Sequence, residues 1–193
     1  VYDNSPPSIV VTSPVETDTI PENKTLKVTW TASDNVGINQ AKIYYSKNVE
    51  DSFTFQDSVS ADLGNYSFKV PLGATNKATV KVAVSDVNGN EGDKSSSFFN
   101  VIDKTPPTIN VASVGNVSIG DTVKISWSAE DPSGLLSHKI YFSTQSKMNF
   151  SFIDSVNGNS ASYDFIIPNV LTDKASIIIE STDLGGSSAS DTS

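Results

Sequence analysis

The chain has 193 residues, 37% of them hydrophobic, with 13 cations against 22 anions, a net charge of −9 and a pI of about 4.4. All 13 cations are lysine, which denies the chain the arginine-rich basic footprint of a phosphate or nucleic-acid binder. It holds no cysteine, so disulfides, a thiol nucleophile and a thiolate metal site are excluded. No apolar run nears the roughly 20 residues of a membrane helix, and no direct membrane insertion is expected.

The chain opens on Val1-Tyr2-Asp3-Asn4-Ser5-Pro6-Pro7-Ser8-Ile9 and returns to the same phrase at Val101-Ile102-Asp103-Lys104-Thr105-Pro106-Pro107-Thr108-Ile109. Paired prolines fix φ and keep the preceding residue out of helix, so each copy reads as a stiff, extended joint before a unit. Between the joints the sequence repeats. Trp30 falls on Trp127 at a shift of 97 residues, which then holds without a gap to the end. Lys42-Ile43-Tyr44-Tyr45-Ser46 meets Lys139-Ile140-Tyr141-Phe142-Ser143, and Tyr66, Phe68 and Pro71 meet Tyr163, Phe165 and Pro168. The joints themselves align at 100, which leaves three extra residues in the first repeat near residues 12–24. Two domains follow, 1–102 and 103–193.

Within each repeat the period is two. Leu26, Val28, Trp30 and Ala32 alternate with Lys27, Thr29 and Thr31, and Ala78, Val80, Val82 and Val84 alternate with Thr79, Lys81 and Ala83. Strands are predicted near 8–12, 25–32, 40–46, 53–60, 65–70, 77–85 and 95–102. Asp34-Asn35-Val36-Gly37, Leu63-Gly64-Asn65 and Asp86-Val87-Asn88-Gly89-Asn90 supply the loops, and no window shows helical spacing. Seven short strands in about 95 residues point to an all-β fold, two tandem antiparallel β-sandwiches. Ser193 aligns with Ser96, so the second repeat stops where the first begins its last strand, and Val1-Tyr2 aligns with the tail of such a strand. Either the chain is a piece of a longer array of repeats, or the second sandwich is open and takes a strand from an adjacent subunit.

The pattern D-x-x-P-P-x-I-x-V, L-x-V-x-W-x-A-x-D-x-x-G, K-I-Y-Y-S, Y-S-F-K-V-P and A-T-V-K-V-A-V-S-D-x-N-G-N resembles bacterial and archaeal extracellular Ig-like modules, more narrowly the fibronectin type III-like kind. The resemblance covers nearly the whole chain. It implies a secreted or cell-surface protein (an adhesin, surface-layer protein, filament component or accessory region of a secreted hydrolase) whose modules are usually non-catalytic. The second repeat departs from it at Asp183-Leu184-Gly185-Gly186, where the Asn-Gly-Asn ending is missing.

In such a sandwich the leading joint, the loop after the second strand and the loop before the last strand share one end. That gathers Asp103, Asp131 and Asp183 in the second repeat, and Asp3, Asp34 and Asp86 in the first. Three carboxylates with carbonyls and water can supply the six to eight oxygens of calcium, and resemblance to calcium-stiffened adhesin repeats implies the same ion. The plainer reading is that each aspartate caps its own turn. Tyr44 and Tyr141 fall on the outward parity of their strand, where Ile178 replaces Lys81 beside Tyr141. Tyr141 with Ile178 in the second repeat, and Tyr44 at the matching place in the first, are therefore candidate positions for a glycan or protein partner, against the plainer reading of cross-strand pairs. His138, the only histidine, is expected to pack near a sheet end. Asn-x-Ser/Thr sequons at Asn23, Asn65, Asn116 and Asn149 permit glycosylation. The expected function is a non-enzymatic spacer flanked by neighbouring repeats of a longer surface protein, with an accessory sugar- or protein-binding module of a secreted hydrolase as the alternative.

Overall fold

Leu26, Val28 and Trp30 turn inward from one strand while Lys27 and Thr29 between them face out, and this alternation builds both sheets of each sandwich. The computed structural model describes residues 3–145 and 148–193; Val1 and Tyr2, read above as the tail of a strand, lie outside them. The chain divides into two units, Val1–Ile102 and Asp103–Ser193.

Unit 1 contains β1 (Ser8–Ser13), β2 (Thr19–Pro21), β3 (Thr25–Ser33), β4 (Ile38–Ser46), β5 (Thr54–Ser60), β6 (Asn65–Lys69), β7 (Thr75–Asp86), β8 (Glu91–Ser95) and β9 (Phe99–Ile102). One sheet runs β1-β3-β6; the other runs β2-β9-β7-β4-β5, with β8 also on β7. The core fills from both: Val28 and Trp30 of β3 face Ile43 and Tyr45 of β4, Val80, Val82 and Val84 of β7, and Phe99 and Val101 of β9. Burying each such side chain is worth about 1.5–3 kcal/mol. The Trp30 indole N–H donates to the Ala61 carbonyl at 3.2 Å, in a single 3-10 turn at Ala61–Leu63.

Unit 2 contains β10 (Thr108–Val111), β11 (Thr122–Glu130), β12 (Leu135–Ser143), β13 (Ser151–Asn157), β14 (Ser162–Ile166), β15 (Ser176–Asp183) and β16 (Ser188–Thr192). Its sheets run β10-β11-β14 and β13-β12-β15-β16. The register is that of unit 1: Trp127 stands opposite Val111 as Trp30 stands opposite Val11. Ile125, Trp127, Ile140, Phe165, Ile177 and Ile179 make the core. The fold is all-β, as the alternation requires.

Three details depart from the expected strands. Of the run expected at 95–102 only Phe99–Ile102 forms a full strand, β9; before it Glu91–Ser95, expected as loop, forms β8 in a hairpin with β7, and both lie along the same edge of β7. Glu91-Gly92-Asp93-Lys94-Ser95 lacks apolar alternation and becomes strand because the β7 edge pairs with it. β2, too short to show a period, exists because it pairs in parallel with β9 through Ile20 and Val101. Unit 2 has β16 as counterpart of β8, and residues 116–118, which match β2, are not strand. No helix of the described residues is long and apolar enough to cross a membrane.

Candidate metal centre

Asp131 follows β11, Asp183 ends β15, and Asp103 opens unit 2 ahead of its Pro-Pro joint; the sandwich brings the three loops together. One carboxylate oxygen from each lies within 4.8 Å of the other two, and Asp3, Asp34 and Asp86 make the same triangle in unit 1. Both triads anticipated from topology are thus gathered.

In unit 2 each carboxylate divides its oxygens between two tasks. Oδ1 of Asp103 accepts from the Thr105 backbone N–H at 2.9 Å, Oδ1 of Asp131 from Ser133 at 2.7 Å, and Oδ1 of Asp183 from Ser187 at 2.9 Å. These are turn-capping bonds, so that plainer reading holds for one oxygen of each aspartate. The Oδ2 atoms of Asp131 and Asp183 are buried without a hydrogen-bond partner, although Asp183 is 0% exposed. A buried carboxylate oxygen without a partner is unfavourable by several kcal/mol unless a proton or cation meets it. The Asp131 carboxyl shows that strain: burial raises its pKa above the usual range, and the charges of Asp103 and Asp183 raise it further. Gly185 admits the close approach, because a Cβ there would stand 2.7 Å from the Asp103 Cβ.

Unit 1 satisfies its triad differently. Asp86 takes the Asn88 and Asn90 backbone N–H groups on Oδ1, both at 2.8 Å, and the Asn90 side-chain amide on Oδ2 at 2.7 Å. Burial works to raise the Asp86 pKa, but the bonds from Asn90, Asn88 and Gly89 together outweigh it and hold the carboxyl below its usual range. Asn90 also donates to the Asp3 carbonyl at 3.1 Å, while the Asp3 Oδ2 is buried without a partner. In unit 2, Ser187 stands where Asn90 would, so no amide reaches Asp183 Oδ2. The missing Asn-Gly-Asn ending at Asp183-Leu184-Gly185-Gly186 therefore leaves Asp183 Oδ2 without the amide that Asp86 Oδ2 receives from Asn90. All donors are hard oxygens on an acidic chain, a set suited to calcium rather than to a softer metal.

The aromatic candidates fall on the outer face of β12 and β4. Tyr141 pairs with Ile178 across β12 and β15, both half-buried, and its ring meets Phe152 edge-on at 5.7 Å. Phe152, 57% exposed and paired with Tyr141 from β13, was not singled out from the sequence. Tyr44 meets Phe55 at 5.6 Å and lies 5.1 Å from the Lys81 ammonium, which also covers Phe53. Lys81 thus closes in unit 1 a face that Ile178 leaves apolar in unit 2.

His138 is in the core rather than at a sheet end. It is 1% exposed and pairs with Val156 on one side and Ser181 on the other. Nδ1 meets the Ser181 hydroxyl at 2.8 Å and Nε2 meets the Gly158 carbonyl at 3.2 Å. Burial lowers its pKa, and its bonds are all structural.

Residues 7–89 match the family model of the bacterial Ig domain. Comparison with curated protein sequences gives no match. Among solved structures, the fibronectin(III)-like modules of Clostridium thermocellum CbhA align at 14% identity and a TM-score of 0.41, covering 96% of this chain and 91% of that one. A tetra-tandem repeat from the extending region of a large adhesion protein aligns at 21% identity and a TM-score of 0.41, covering 97% of this chain. This chain spans about half, 47%, of that structure's length. Unit 2 repeats unit 1 at the constant shift from Trp30 to Trp127 and in strand order, so this chain is a tandem pair of Ig-like modules, the first matched directly by the bacterial Ig domain.

Proposed function

We propose that the two modules are non-catalytic spacer repeats of a secreted or cell-surface protein, and that calcium at Asp103, Asp131 and Asp183 stiffens the joint leading into unit 2. The observation that carries this reading is the buried Oδ2 of Asp183, without a hydrogen-bond partner, on a residue that brings a carboxylate oxygen within 4.8 Å of those of Asp103 and Asp131. Asp103 directly follows the last residue of β9 in sequence, so an ion that fixes Asp103 also fixes the start of the Lys104-Thr105-Pro106-Pro107 joint. A stiff proline pair and an anchored first residue both limit bending within the joint itself. The test is thermal unfolding of the chain in EDTA and in a few millimolar calcium. A rise in Tm that Asp131→Ala abolishes supports the reading, and equal melting in both overturns its calcium half. The spacer half is read by small-angle scattering in the same two buffers, where freely tumbling units under every condition would overturn it.

A second reading, a carbohydrate- or protein-binding accessory module, is favoured by the outward cluster of Tyr141, Phe152 and Ile178. Sugars stack on faces of this kind. Retention on polysaccharide affinity gels that Tyr141→Ala abolishes supports it, and migration unchanged by any polysaccharide removes it.

A further inference from the structure

Ser46 of β4 and Thr79 of β7 are cross-strand partners on the same outward parity as Tyr44 and Lys81, yet they are only 2% and 4% exposed. Polar residues on the solvent side of a sheet are buried only where something lies over them. The cover comes from two connections of unit 1. The one from β4 to β5 brings Val49 and Phe53, and the one from β8 to β9 brings Phe98. Together with Ser46, Thr79 and Ser95 these residues line a cleft of about 230 Å³. Its lips are apolar and face water, with Val49 56% and Phe98 44% exposed.

The chemistry of the lining selects a ligand. The buried hydroxyls are already engaged, Ser46 Oγ donating to the Asn48 carbonyl at 2.6 Å and Thr79 Oγ1 to the Ser96 carbonyl at 3.3 Å. A ligand rich in hydroxyls finds few open partners there, whereas an apolar ring gains from Val49, Phe53 and Phe98 together. One charge stands beside this apolar lining. The Lys81 ammonium lies 4.9 Å from the centre of the Phe53 ring and 5.1 Å from that of Tyr44. No carboxylate of the described residues forms an ion pair with it, although the chain has 22 acidic residues. Ser95, exposed and opposite Lys81 on β8, adds a further hydroxyl at the same edge.

We infer that this cleft binds a small carboxylate with an aromatic or branched apolar body, its body against Phe53 and Phe98 and its charge toward Lys81. An apolar cavity of roughly 150 Å³ takes a benzene ring, so this one has room for a ring and a short arm. An ammonium over a ring still has N–H donors to give, and a bond from it to a carboxylate is charged on both sides. The place of Lys81 in unit 2 is taken by Ile178, which has no charge to offer. The site is separate from both aspartate triads and from the Tyr141 face.

The probe is phenylacetate, titrated into the whole chain and followed by backbone amide NMR shifts. Saturable shifts at residues 46–53, 79–81 and 95–98 are expected. Phenylacetamide, of the same shape without the charge, should bind there about ten-fold more weakly. Lys81→Ile, which installs the residue unit 2 carries at that place, should weaken the acid about ten-fold and leave the amide unchanged. Val49→Asp, at an exposed position, should abolish binding of both without lowering the Tm. Absence of saturable shifts at these residues with tens of millimolar probe overturns the inference. Equal binding of acid and amide, or acid binding that Lys81→Ile does not weaken, overturns the carboxylate and with it the inference.

Discussion

His138 holds the Gly158 carbonyl through Nε2 at 3.2 Å, and the indole N–H of Trp127 beside it is left with no acceptor. In unit 1 Ala41 stands at the histidine position, and the matching carbonyl, Ala61, takes the Trp30 N–H instead. One substitution in the core has thus moved a hydrogen bond from tryptophan to histidine. With Nε2–H donating to Gly158, Nδ1 accepts from the Ser181 hydroxyl, and the ring is held neutral between two fixed partners.

That arrangement makes unit 2 acid-sensitive in a defined window. The folded-state pKa of His138 is lowered by burial, so the unfolded chain takes up its proton first, near the ordinary value of about 6.5. The histidine's contribution to stability is therefore complete above that pH and is lost as pH falls below it. Melting of wild type and His138→Ala between pH 7.5 and pH 5 checks this. The wild type should lose more stability across the window than the variant, which titrates no histidine there. At pH 7.5 the variant should be less stable by about 1–3 kcal/mol, softened by the bond that Trp127 regains to Gly158.

The two triads should differ in calcium affinity, and Asn90 and Ser187 should set the difference. Ser187→Asn places an amide where it can occupy Asp183 Oδ2, while Asn90→Ser frees Asp86 Oδ2. A hydrogen bond to a charged group is worth about 1.5–3 kcal/mol, so each exchange should shift affinity about ten-fold or more, downward in unit 2 and upward in unit 1. Isothermal titration of both variants reads this directly, and unchanged isotherms would show that the amide does not compete.

Without metal, the unit 2 triad works against the fold. Asp183→Asn removes one of three close negative charges and should raise the Tm in EDTA, and it should show none of the rise in calcium that the proposed site predicts for the wild type. The pH dependence carries the same sign. The Asp131 pKa is raised by burial and by its two neighbours, so its favourable contribution is complete below the unfolded value of about 3.9 and is lost as pH rises through the folded one. Calcium should invert that trend by favouring the ionised form.

Gly185→Ala tests the closeness of the loop to Asp103. The new Cβ would fall 2.7 Å from the Asp103 Cβ, so one of the two must move. Calcium affinity should fall at least several-fold, with a stability loss of about 1–3 kcal/mol from overpacking. Calorimetry and melting of one preparation read both.

The parts of this molecule that obey a local rule were legible in its residues. Leu26, Val28 and Trp30 announce β3 by period alone, and the gathering of Asp103, Asp131 and Asp183 follows from which loops share an end of a sandwich. What escaped depends on partners in space. β2 and β8 are strands because β9 and β7 lie beside them, and neither Thr19-Ile20-Pro21 nor Glu91-Gly92-Asp93 carries a period. The split of each carboxylate into a capping and an inward oxygen cannot be read from spacing, nor can the reach of Asn90 to Asp86. His138 looked peripheral because a lone polar residue is hard to place when its partners, Ser181 and Gly158, lie 43 and 20 residues away.

The capping bonds of Asp103, Asp131 and Asp183 have a kinetic meaning. Each Oδ1 is tied to its own turn, so the loops hold their shape whether or not a cation is near. Ordering happens once, when the chain folds. If calcium binds as proposed, its exchange would need no local unfolding, and the Asp103 loop would respond to the calcium level around the protein as quickly as the ion dissociates.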